Sequence, residues 1–232
     1  GRGALTVPLA PLVARLIGVE IDRDLANALP PRLPAHCTIV QGDFLEIDLQ
    51  ALLAPLALPV RVIGNLPYNV SSPILFALLG AADGGRVFSD ATLMLQKEVA
   101  QRICAGPGSR AYGSLSVLVA LHAEARLAFD VPPRCFAPPP KVDSAVVRLT
   151  PLEAAPFPLP DRDRYARLVA TAFSMRRKTL RRSLRGLVDE GKTQVGSGVA
   201  VIVGVAVPGT SFGVVEPGRS ERTRRVRFPL CP

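Results

Sequence analysis

The stretch of the sequence best suited to chemistry is the hexapeptide Gly-Asn-Leu-Pro-Tyr-Asn at residues 64–69. It follows an apolar run that predicts a buried strand and precedes a segment that predicts a helix. Asn65 offers a carboxamide oxygen and Tyr68 offers a flat ring. Leu66 and Pro67, between them, offer backbone carbonyls in a bent segment. Together these groups could hold a planar amino group such as the N6 of adenine. An ordinary strand-to-helix turn is the alternative, because Asn and Pro favour turns in any case.

Acidic residues follow two other predicted strands. The apolar run at residues 16–21 contains Glu20 and leads into Asp22, and the run at 38–41 leads into Asp43. Open α/β sheets bind ligands at the carboxyl ends of their strands. In the nucleotide-binding pattern, an acidic residue at one of these strand ends accepts hydrogen bonds from ribose hydroxyls. We assign Glu20 to that role and Asp22 to capping the next helix. From its residue type alone, Asp43 is an ordinary turn former.

A third candidate for the site is the segment Cys-Phe-Ala-Pro-Pro-Pro-Lys at residues 135–141. Its three consecutive prolines stiffen the backbone, and Phe136 stands at the head of the stiff segment. A rigid loop that presents one aromatic ring could clamp a base from the face opposite Tyr68. Alternatively, Phe136 plugs the edge of the core. The residues alone favour the plug.

Strand-like and helix-like segments alternate along most of the chain, which predicts an α/β fold. The last two predicted strands form an antiparallel pair. Pro8 and Pro11 suit the first turn of the first helix. The predicted strands are 16–21, 38–41, 60–63, 91–95, 125–131 and 144–149; the predicted helices are 5–16, one from about 25, 48–58, 71–79, 96–102, 113–122 and one from 161.

Length and composition set the frame for these elements. A chain of 232 residues has room for one large domain and a smaller one. Apolar residues make up 48% of the chain, which is enough for a substantial core. Lys and Arg outnumber Asp and Glu by 28 to 19, a net charge of +9. This excess favours a polyanionic partner, although it can also simply maintain solubility.

The positive charge is densest at residues 176–185, where six of ten side chains are Arg or Lys and none is acidic. Such a run on a helix is either a solvated face or a surface that contacts phosphates. The absence of balancing acids favours RNA backbone as the partner. The candidate RNA-binding residues are Arg176, Arg177, Lys178, Arg181 and Arg182.

The cysteines, Cys37, Cys104, Cys135 and Cys231, are widely spaced and form no pair with the spacing of metal ligands. Scattered thiols predict a reduced, intracellular protein without a metal site. No segment has the length of a membrane span, and we expect no signal peptide. We therefore expect a cytoplasmic protein with no membrane partner.

The hexapeptide also carries a resemblance. Asn-Leu-Pro-Tyr resembles the Asn-(Leu/Ile)-Pro-(Tyr/Phe) motif of the ribosomal RNA adenine N6-dimethyltransferases, and the likeness extends from residue 1 to about residue 187. Seven stretches agree with the family in order and spacing, which makes the resemblance specific. The other six are Gly-Arg-Gly-Ala-Leu-Thr (1–6), Val-Glu-Ile-Asp-Arg-Asp-Leu (19–25), Gln-Gly-Asp-Phe (41–44), Gln-Lys-Glu-Val-Ala-Gln-Arg (96–102), Tyr-Gly-Ser-Leu-Ser (112–116) and Phe-Ala-Pro-Pro-Pro-Lys-Val-Asp-Ser (136–144).

The resemblance implies a Rossmann-like, class I methyltransferase sheet at residues 1–152, which binds S-adenosylmethionine. It further implies the start of a small helical RNA-binding domain at 153–190, followed by a divergent tail at 191–232. It gives Asp43 a hydrogen bond to the exocyclic amine of the cofactor adenine, with Phe44 beside the ring, and it favours Phe136 as a clamp. The implied catalytic residues are Asn65, Leu66, Pro67, Tyr68 and Phe136; the implied cofactor-binding residues are Gly1, Gly3, Glu20, Asp43, Phe44 and Asn65.

The function implied is dimethylation of adenine N6 in small-subunit ribosomal RNA during ribosome assembly, by a monomer. Tyr68 and the Pro-Pro-Pro-Lys-Val-Asp-Ser stretch favour the small-subunit branch. Three alternatives stay open. They are a large-subunit enzyme of the macrolide-resistance type, a relative of the mitochondrial members that assist transcription, and an assembly factor that binds ribosomal RNA without catalysis.

The two ends of the chain raise separate expectations. Residues 1–6 resemble the latter part of a glycine-rich loop, so we expect a fragment that lacks the first, central strand of the sheet. Such a fragment should bind S-adenosylmethionine weakly by itself, which puts its own activity in doubt. Residues 195–208 are mostly Val, Gly and Ala and match nothing in the family. A shifted reading frame and a divergent tail both explain this.

Overall fold

The computed structural model describes residues 1–81, 87–159, 161–174 and 183–184, together with the backbone of two short strands near the carboxyl terminus. The predicted RNA-contacting cations and most of the 191–232 tail lie outside these residues. Eight strands are described: β1 (Leu16–Glu20), β2 (Cys37–Gln41), β3 (Val60–Asn65), β4 (Phe88–Gln96), β5 (Ala123–Val131), β6 (Ser144–Pro151), β7 (Phe212–Val214) and β8 (Arg224–Val226).

Seven α-helices accompany these strands in the described part of the chain. Three short 3-10 turns, at Ala10–Leu12, Pro30–Arg32 and Pro133–Cys135, complete the regular structure there. The α-helices are α1 (Thr6–Leu9), α2 (Arg23–Ala28), α3 (Leu49–Leu53), α4 (Ser71–Ala81), α5 (Lys97–Ile103), α6 (Ser114–Ala120) and α7 (Arg162–Ser174).

The chain divides into two compact units. The first comprises Gly1–Lys97 and His122–Ala154, and the second comprises Glu98–Leu121 and Ala155–Pro232. The first unit holds strands β1 to β6, and the second holds most of α5 together with α6 and α7. The domain boundaries at 152 and 190, drawn from the sequence, stay predictions.

The first unit contains two sheets. Strands β1 and β2 form a parallel pair in which Leu16 lies beside Cys37 and Glu20 beside Gln41. The other sheet has the order β3-β4-β6-β5, with β3 parallel to β4 and the remaining pairs antiparallel. Each sheet therefore gathers several strand ends at one edge, where the candidate residues lie.

The core of the first unit follows the period of the strands and of α4. Leu93 and Leu95 on β4 and Val147 on β6 are fully buried, because alternate residues of a strand share a face. Leu75 and Leu79 on α4 are also fully buried, since residues four apart lie on the same helix face. These side chains give the carboxyl edge of the four-stranded sheet a rigid base.

The described part of the second unit consists of most of α5, of α6 and α7, and of the short antiparallel pair β7–β8. Helix α7 is amphipathic, and its Val169 is buried. The Tyr112 and Phe173 rings pack edge to face, with centroids 5.8 Å apart. Phe157 and Tyr165 make a second ring contact at 5.7 Å. Within the described residues, no helix is both long and apolar enough to cross a bilayer.

The six strands predicted from the sequence are confirmed within one to three residues, including the final antiparallel pair. The helix predicted at 5–16 is wrong in length, because α1 ends at Leu9 and a 3-10 turn follows. Pro11 has no N–H to donate to the Val7 carbonyl, so the α-helical ladder stops there. The helix predicted at 48–58 likewise ends at Leu53, just before Pro55.

Candidate functional site

The hexapeptide at 64–69 begins inside β3 and leaves it at the carboxyl edge of the sheet. Asn65 is the last residue of β3 and pairs with Met94 on β4. The Leu66 N–H donates to the Met94 carbonyl at 3.2 Å, which extends the ladder one residue into the turn. The Asn65 side chain is exposed and forms no hydrogen bond with the described residues. Its carboxamide is thus free to meet a ligand.

The turn after Asn65 is tied down by three further contacts. The Val70 N–H donates to the Pro67 carbonyl at 3.2 Å, and the Ser71 hydroxyl donates to the Tyr68 carbonyl at 3.2 Å. A carbonyl oxygen has two lone pairs, so that of Pro67 can accept a second hydrogen bond. The Tyr68 hydroxyl lies 2.7 Å from the Ser144 hydroxyl at the start of β6. The turn is therefore held in one shape by the protein itself.

Phe136 belongs to the loop that connects β5 with β6. These strands are antiparallel, and their last pair joins Val131 to Ser144. Ser144 also pairs with Gln96, the last residue of β4, so this loop rises from the edge where β3 ends. Phe136 is half-buried, and its N–H donates to the Pro133 carbonyl at 3.1 Å. Its role as a clamp on a base stays a prediction.

The two acidic residues at the end of β1, Glu20 and Asp22, make different contacts. Asp22 caps α2, accepting hydrogen bonds from the N–H groups of Asp24 at 2.9 Å and Leu25 at 3.0 Å, which confirms the predicted cap. Glu20 is the last residue of β1, and its Oε1 accepts the Asp22 N–H at 3.1 Å. Its Oε2 contacts the amino group of Gly1. Glu20 thus already acts as an acceptor at the strand end.

Asp43 follows β2, at the edge where β1 ends. Its Oδ1 accepts the Leu45 N–H at 2.9 Å, so the residue does form a turn, as its type alone predicts. Its Oδ2 has no donor among the described residues. Phe44, the next residue, is half-buried. One acceptor oxygen and one aromatic ring are thereby available at this position.

The glycine-rich start of the chain has a backbone shape that suits glycine. Gly3 has a φ of +84°, and a Cβ there would lie 2.6 Å from Leu29 Cδ2 and 2.9 Å from Val7 Cγ2. Only a residue without a side chain adopts this shape without strain. The turn places the Gly3 carbonyl so that it accepts the Val7 N–H at 3.0 Å and opens α1.

Lys97 cross-links the elements at the carboxyl edge of the four-stranded sheet, a role that sequence reasoning did not assign. Its Nζ donates to Asp130 Oδ2 at 2.7 Å, and its N–H donates to the Asp143 carbonyl at 2.9 Å. The hydrogen bond and the charge of Asp130 raise the pKa of Lys97, with a smaller contribution from Asp143. Lys97 stands out in sequence only as part of the Gln-Lys-Glu stretch. Its partners, Asp130 and Asp143, lie more than 30 residues away, so the sequence alone could not pair them with it.

The structure thus brings Asn65, Leu66, Pro67 and Tyr68 to one edge with the base of the Phe136 loop. It places Glu20 and Asp43 together at the edge of the β1–β2 pair. No described group of three metal-ligating side chains is close enough to hold an ion. The fold is of the α/β class, and strand ends that carry acidic residues and a polar-aromatic turn are typical of its nucleotide-binding members.

Comparison with known proteins narrows the class. The family model described as ribosomal RNA adenine dimethylase matches residues 1–205. Ribosomal RNA small subunit methyltransferase A of Alcanivorax borkumensis is 48% identical over 195 residues, which cover 84% of this chain and 68% of that protein. Its counterpart in Proteus mirabilis is 47% identical over 190 residues, 81% and 69% of the two chains. The chain belongs to the ribosomal RNA adenine dimethylase family, as its motifs predicted.

Solved structures agree with this assignment. A dimethyladenosine transferase from Plasmodium falciparum superimposes with a TM-score of 0.69 at 28% identity, over 86% of this chain and 74% of that one. The 23S rRNA methyltransferase ErmE gives a TM-score of 0.62 at 28% identity, over 89% and 81%. The predicted α/β methyltransferase fold is therefore confirmed.

Proposed function

We propose that this protein transfers methyl groups from S-adenosylmethionine to the N6 of adenines in small-subunit ribosomal RNA, giving N6,N6-dimethyladenosine during ribosome assembly. The observation that carries the proposal is the free carboxamide of Asn65 at the end of β3, next to the Pro67 carbonyl and the Tyr68 ring. In a family of ribosomal RNA adenine dimethylases, acceptors in this arrangement suit an exocyclic amine.

The residues present fit the cofactor. Glu20 and Asp43 place carboxylate oxygens at the ends of adjacent parallel strands, where a ribose and an adenine amine find acceptors. Phe44 offers a ring beside Asp43, and Gly3 keeps the start of α1 free of side chain. When bound, S-adenosylmethionine supplies an electrophilic methyl group on its sulfonium, and the protein supplies orientation and electrostatics.

The chain's own residues then act on the target base. The lone pair of adenine N6 is delocalised into the ring, which makes the amine a poor nucleophile. The Asn65 carboxamide oxygen and the Pro67 carbonyl accept its two hydrogens and so concentrate the lone pair on nitrogen. As positive charge develops there, the same two dipoles stabilise it without reorganising. Tyr68 and Phe136 hold the extruded base by stacking.

No general base is needed in this scheme. The methylated amine is cationic and strongly acidic, so it loses its proton to water. The rate therefore depends on placement of the amine, which is the kind of catalysis that fixed geometry supplies.

The small subunit is favoured over the large one by similarity. Relatives named for the small subunit are 47–48% identical to this chain, whereas the 23S enzyme is 28% identical. The net charge of +9 suits an RNA partner. We propose that the protein acts on ribosomal precursors in the cytoplasm, as a monomer.

The test is methyl transfer in vitro. The chain is incubated with methyl-labelled S-adenosylmethionine and either precursor small subunits or large-subunit RNA, and the nucleosides are resolved by mass spectrometry. We expect N6,N6-dimethyladenosine in small-subunit RNA alone. Dimethyladenosine in large-subunit RNA would favour the resistance type of enzyme. RNA binding without any methylation would favour a non-catalytic assembly factor.

A further inference from the structure

One side chain of the turn after Asn65 makes a contact across the sheet. The Tyr68 hydroxyl lies 2.7 Å from the hydroxyl of Ser144, a residue 76 positions later in the chain. Tyr68 is half-buried, whereas Ser144 is completely buried. A tyrosine at a turn normally swings about its Cα–Cβ bond, because several rotamers are open to it. The hydrogen bond to Ser144 selects one of them.

Ser144 is a rigid partner, because its backbone is paired on both sides. It is the first residue of β6, and it lies between Gln96 on β4 and Val131 on β5. The preceding residue is also fixed, since the Asp143 carbonyl accepts the Lys97 N–H at 2.9 Å. Ser144 is therefore anchored to the two neighbouring strands, β4 and β5, independently of its contact with the Tyr68 hydroxyl.

The same residue marks the base of the Phe136 loop. That loop leaves β5 after Val131 and re-enters the sheet at Ser144, and these two residues face each other in the ladder. The hydrogen bond thus joins Tyr68 to Ser144, at the base of the loop that carries Phe136. A base held between the two rings needs a fixed gap between them, and this contact sets one side of the gap.

We propose that Ser144 is a positioning residue, which locks the Tyr68 ring for stacking on the target base; its link to catalysis rests on the proposed function. Ser144 touches no substrate itself. Loss of its hydroxyl leaves the acceptors of Asn65 and Pro67 in place but frees the ring. The expected result is slower methyl transfer with unchanged affinity for S-adenosylmethionine.

The first experiment reads the ring directly. The chain has three tyrosines, so labelling with 3-fluorotyrosine gives three fluorine NMR signals, and Tyr68→Phe identifies the signal of Tyr68. Ser144→Ala should shift and narrow that signal while those of Tyr112 and Tyr165 stay in place. Ser116→Ala is the matched control, because Ser116 is also a buried, hydrogen-bonded serine but contacts Arg102 and Gly113 instead. An unchanged Tyr68 signal in Ser144→Ala overturns the proposal.

The second experiment is a double-mutant cycle on methyl transfer. Tyr68→Phe keeps the ring but removes its hydroxyl, and Ser144→Ala removes the partner. Each should lower kcat about tenfold, the size expected for one hydrogen bond. The double variant should be no slower than either single one, and the KM for S-adenosylmethionine should not change. Losses that multiply would show that the two hydroxyls act independently. If the wild-type chain methylates no ribosomal RNA, the proposed function fails, and the NMR result decides the role of Ser144 alone.

Discussion

At the scale of single residues, Asn65 is the side chain on which the proposed mechanism depends most. Its side chain is exposed at the end of a strand that is otherwise fixed by the ladder to β4. The ladder fixes the backbone of Asn65, and its carboxamide oxygen is free to accept a hydrogen bond from a ligand. In the proposed mechanism this carboxamide acts on the transition state, because charge develops on the amine only during transfer.

We therefore expect Asn65→Ala to lower kcat by about 100-fold or more, the loss typical of one preorganised polar contact. The affinity for S-adenosylmethionine, measured by calorimetry, should change much less. Asn27→Ala, the same truncation on an exposed position of α2, is the control and should retain the wild-type rate. Equal losses in rate and in cofactor affinity would assign Asn65 to cofactor binding instead.

Gly3 offers a second test at this scale. Both Gly3 and Gly108 have positive φ, at +84° and +87°, but a Cβ at Gly108 meets no atom within 4 Å. Gly108→Ala should cost only the backbone strain of about 1–2 kcal/mol. Gly3→Ala should cost more, because Leu29 and Val7 must also move. Urea unfolding of both variants measures the difference, and equal costs would show that the crowding at Gly3 relaxes freely.

At the scale of elements, the four-stranded sheet is clasped by one buried carboxylate. Asp90 on β4 is 4% exposed, and it accepts two hydrogen bonds from Arg61 on β3, each 2.9 Å long. Arg148 on β6 donates to the same carboxylate at 2.6 Å. Three neighbouring strands are thus joined through one side chain. The hydrogen bonds from Arg61, and then from Arg148, hold the pKa of Asp90 below its usual range.

Asp90→Asn should therefore destabilise the fold by about 1–2 kcal/mol at pH 7, toward the low end for charged hydrogen bonds because water reaches both arginines. A lowered folded-state pKa gives stability that is present above the unfolded pKa of about 3.9 and is lost as pH falls through the folded value. The difference between variant and wild type should accordingly vanish in acid. Thermal unfolding from pH 7 down to about pH 2 measures it, because the loss is complete only below the folded pKa.

The control for this clasp is Glu124→Gln on β5. Glu124 also accepts two hydrogen bonds from an arginine, Arg126, but both side chains are more than half exposed. Exposed pairs contribute little. Glu124→Gln should match wild type at every pH, and a pH-independent loss in Asp90→Asn would show that packing, and not charge, holds the sheet.

The elements also show what the sequence can predict. The strands could be read because apolar runs of four to nine residues end in polar or turn-forming ones, and Asp22 could be recognised as a cap from its place before a helix. The contact between Tyr68 and Ser144 could not, since it depends on the antiparallel return of β6. The clasp of Asp90 depends likewise on strand order. Features that depend on neighbouring residues can therefore be predicted from the sequence. Contacts between residues that only the strand order brings together cannot.

At the scale of the whole molecule, the positive net charge favours a polyanionic partner. The net charge of +9 is concentrated in the run at 176–185, which lies largely outside the described residues. If Arg176, Arg177 and Lys178 bind phosphates, replacing them with glutamine should weaken RNA binding broadly and reduce its salt slope by roughly one unit for each phosphate that is no longer bound. Cofactor affinity without RNA should stay the same. An unchanged salt slope, in filter-binding titrations, would make this run a solvated face.

The arrangement of the two sheets gives the last prediction. In the described part of the chain, β1 pairs only with β2, and β3 pairs only with β4. The Leu16 N–H donates to the His36 carbonyl just before β2, and the Leu66 N–H just after β3 donates to the Met94 carbonyl of β4. Alternate residues of a strand point the opposite way, so every second amide of β1 and of β3 has no described strand beside it.

Hydrogen exchange followed by NMR should reveal this alternation. Along β3, the amides of Val62 and Gly64 should exchange slowly, and those of Arg61, Ile63 and Asn65 quickly, because an amide open to water lacks the protection of a ladder. Residues 91–94 of β4 and 144–149 of β6 have a partner strand on both sides, so all their amides should be protected and serve as the internal control. Uniform protection along β3 would mean that another strand pairs with its open edge in solution. Since Asn65 ends this strand, that outcome would mean that the turn after Asn65 is supported from a second side.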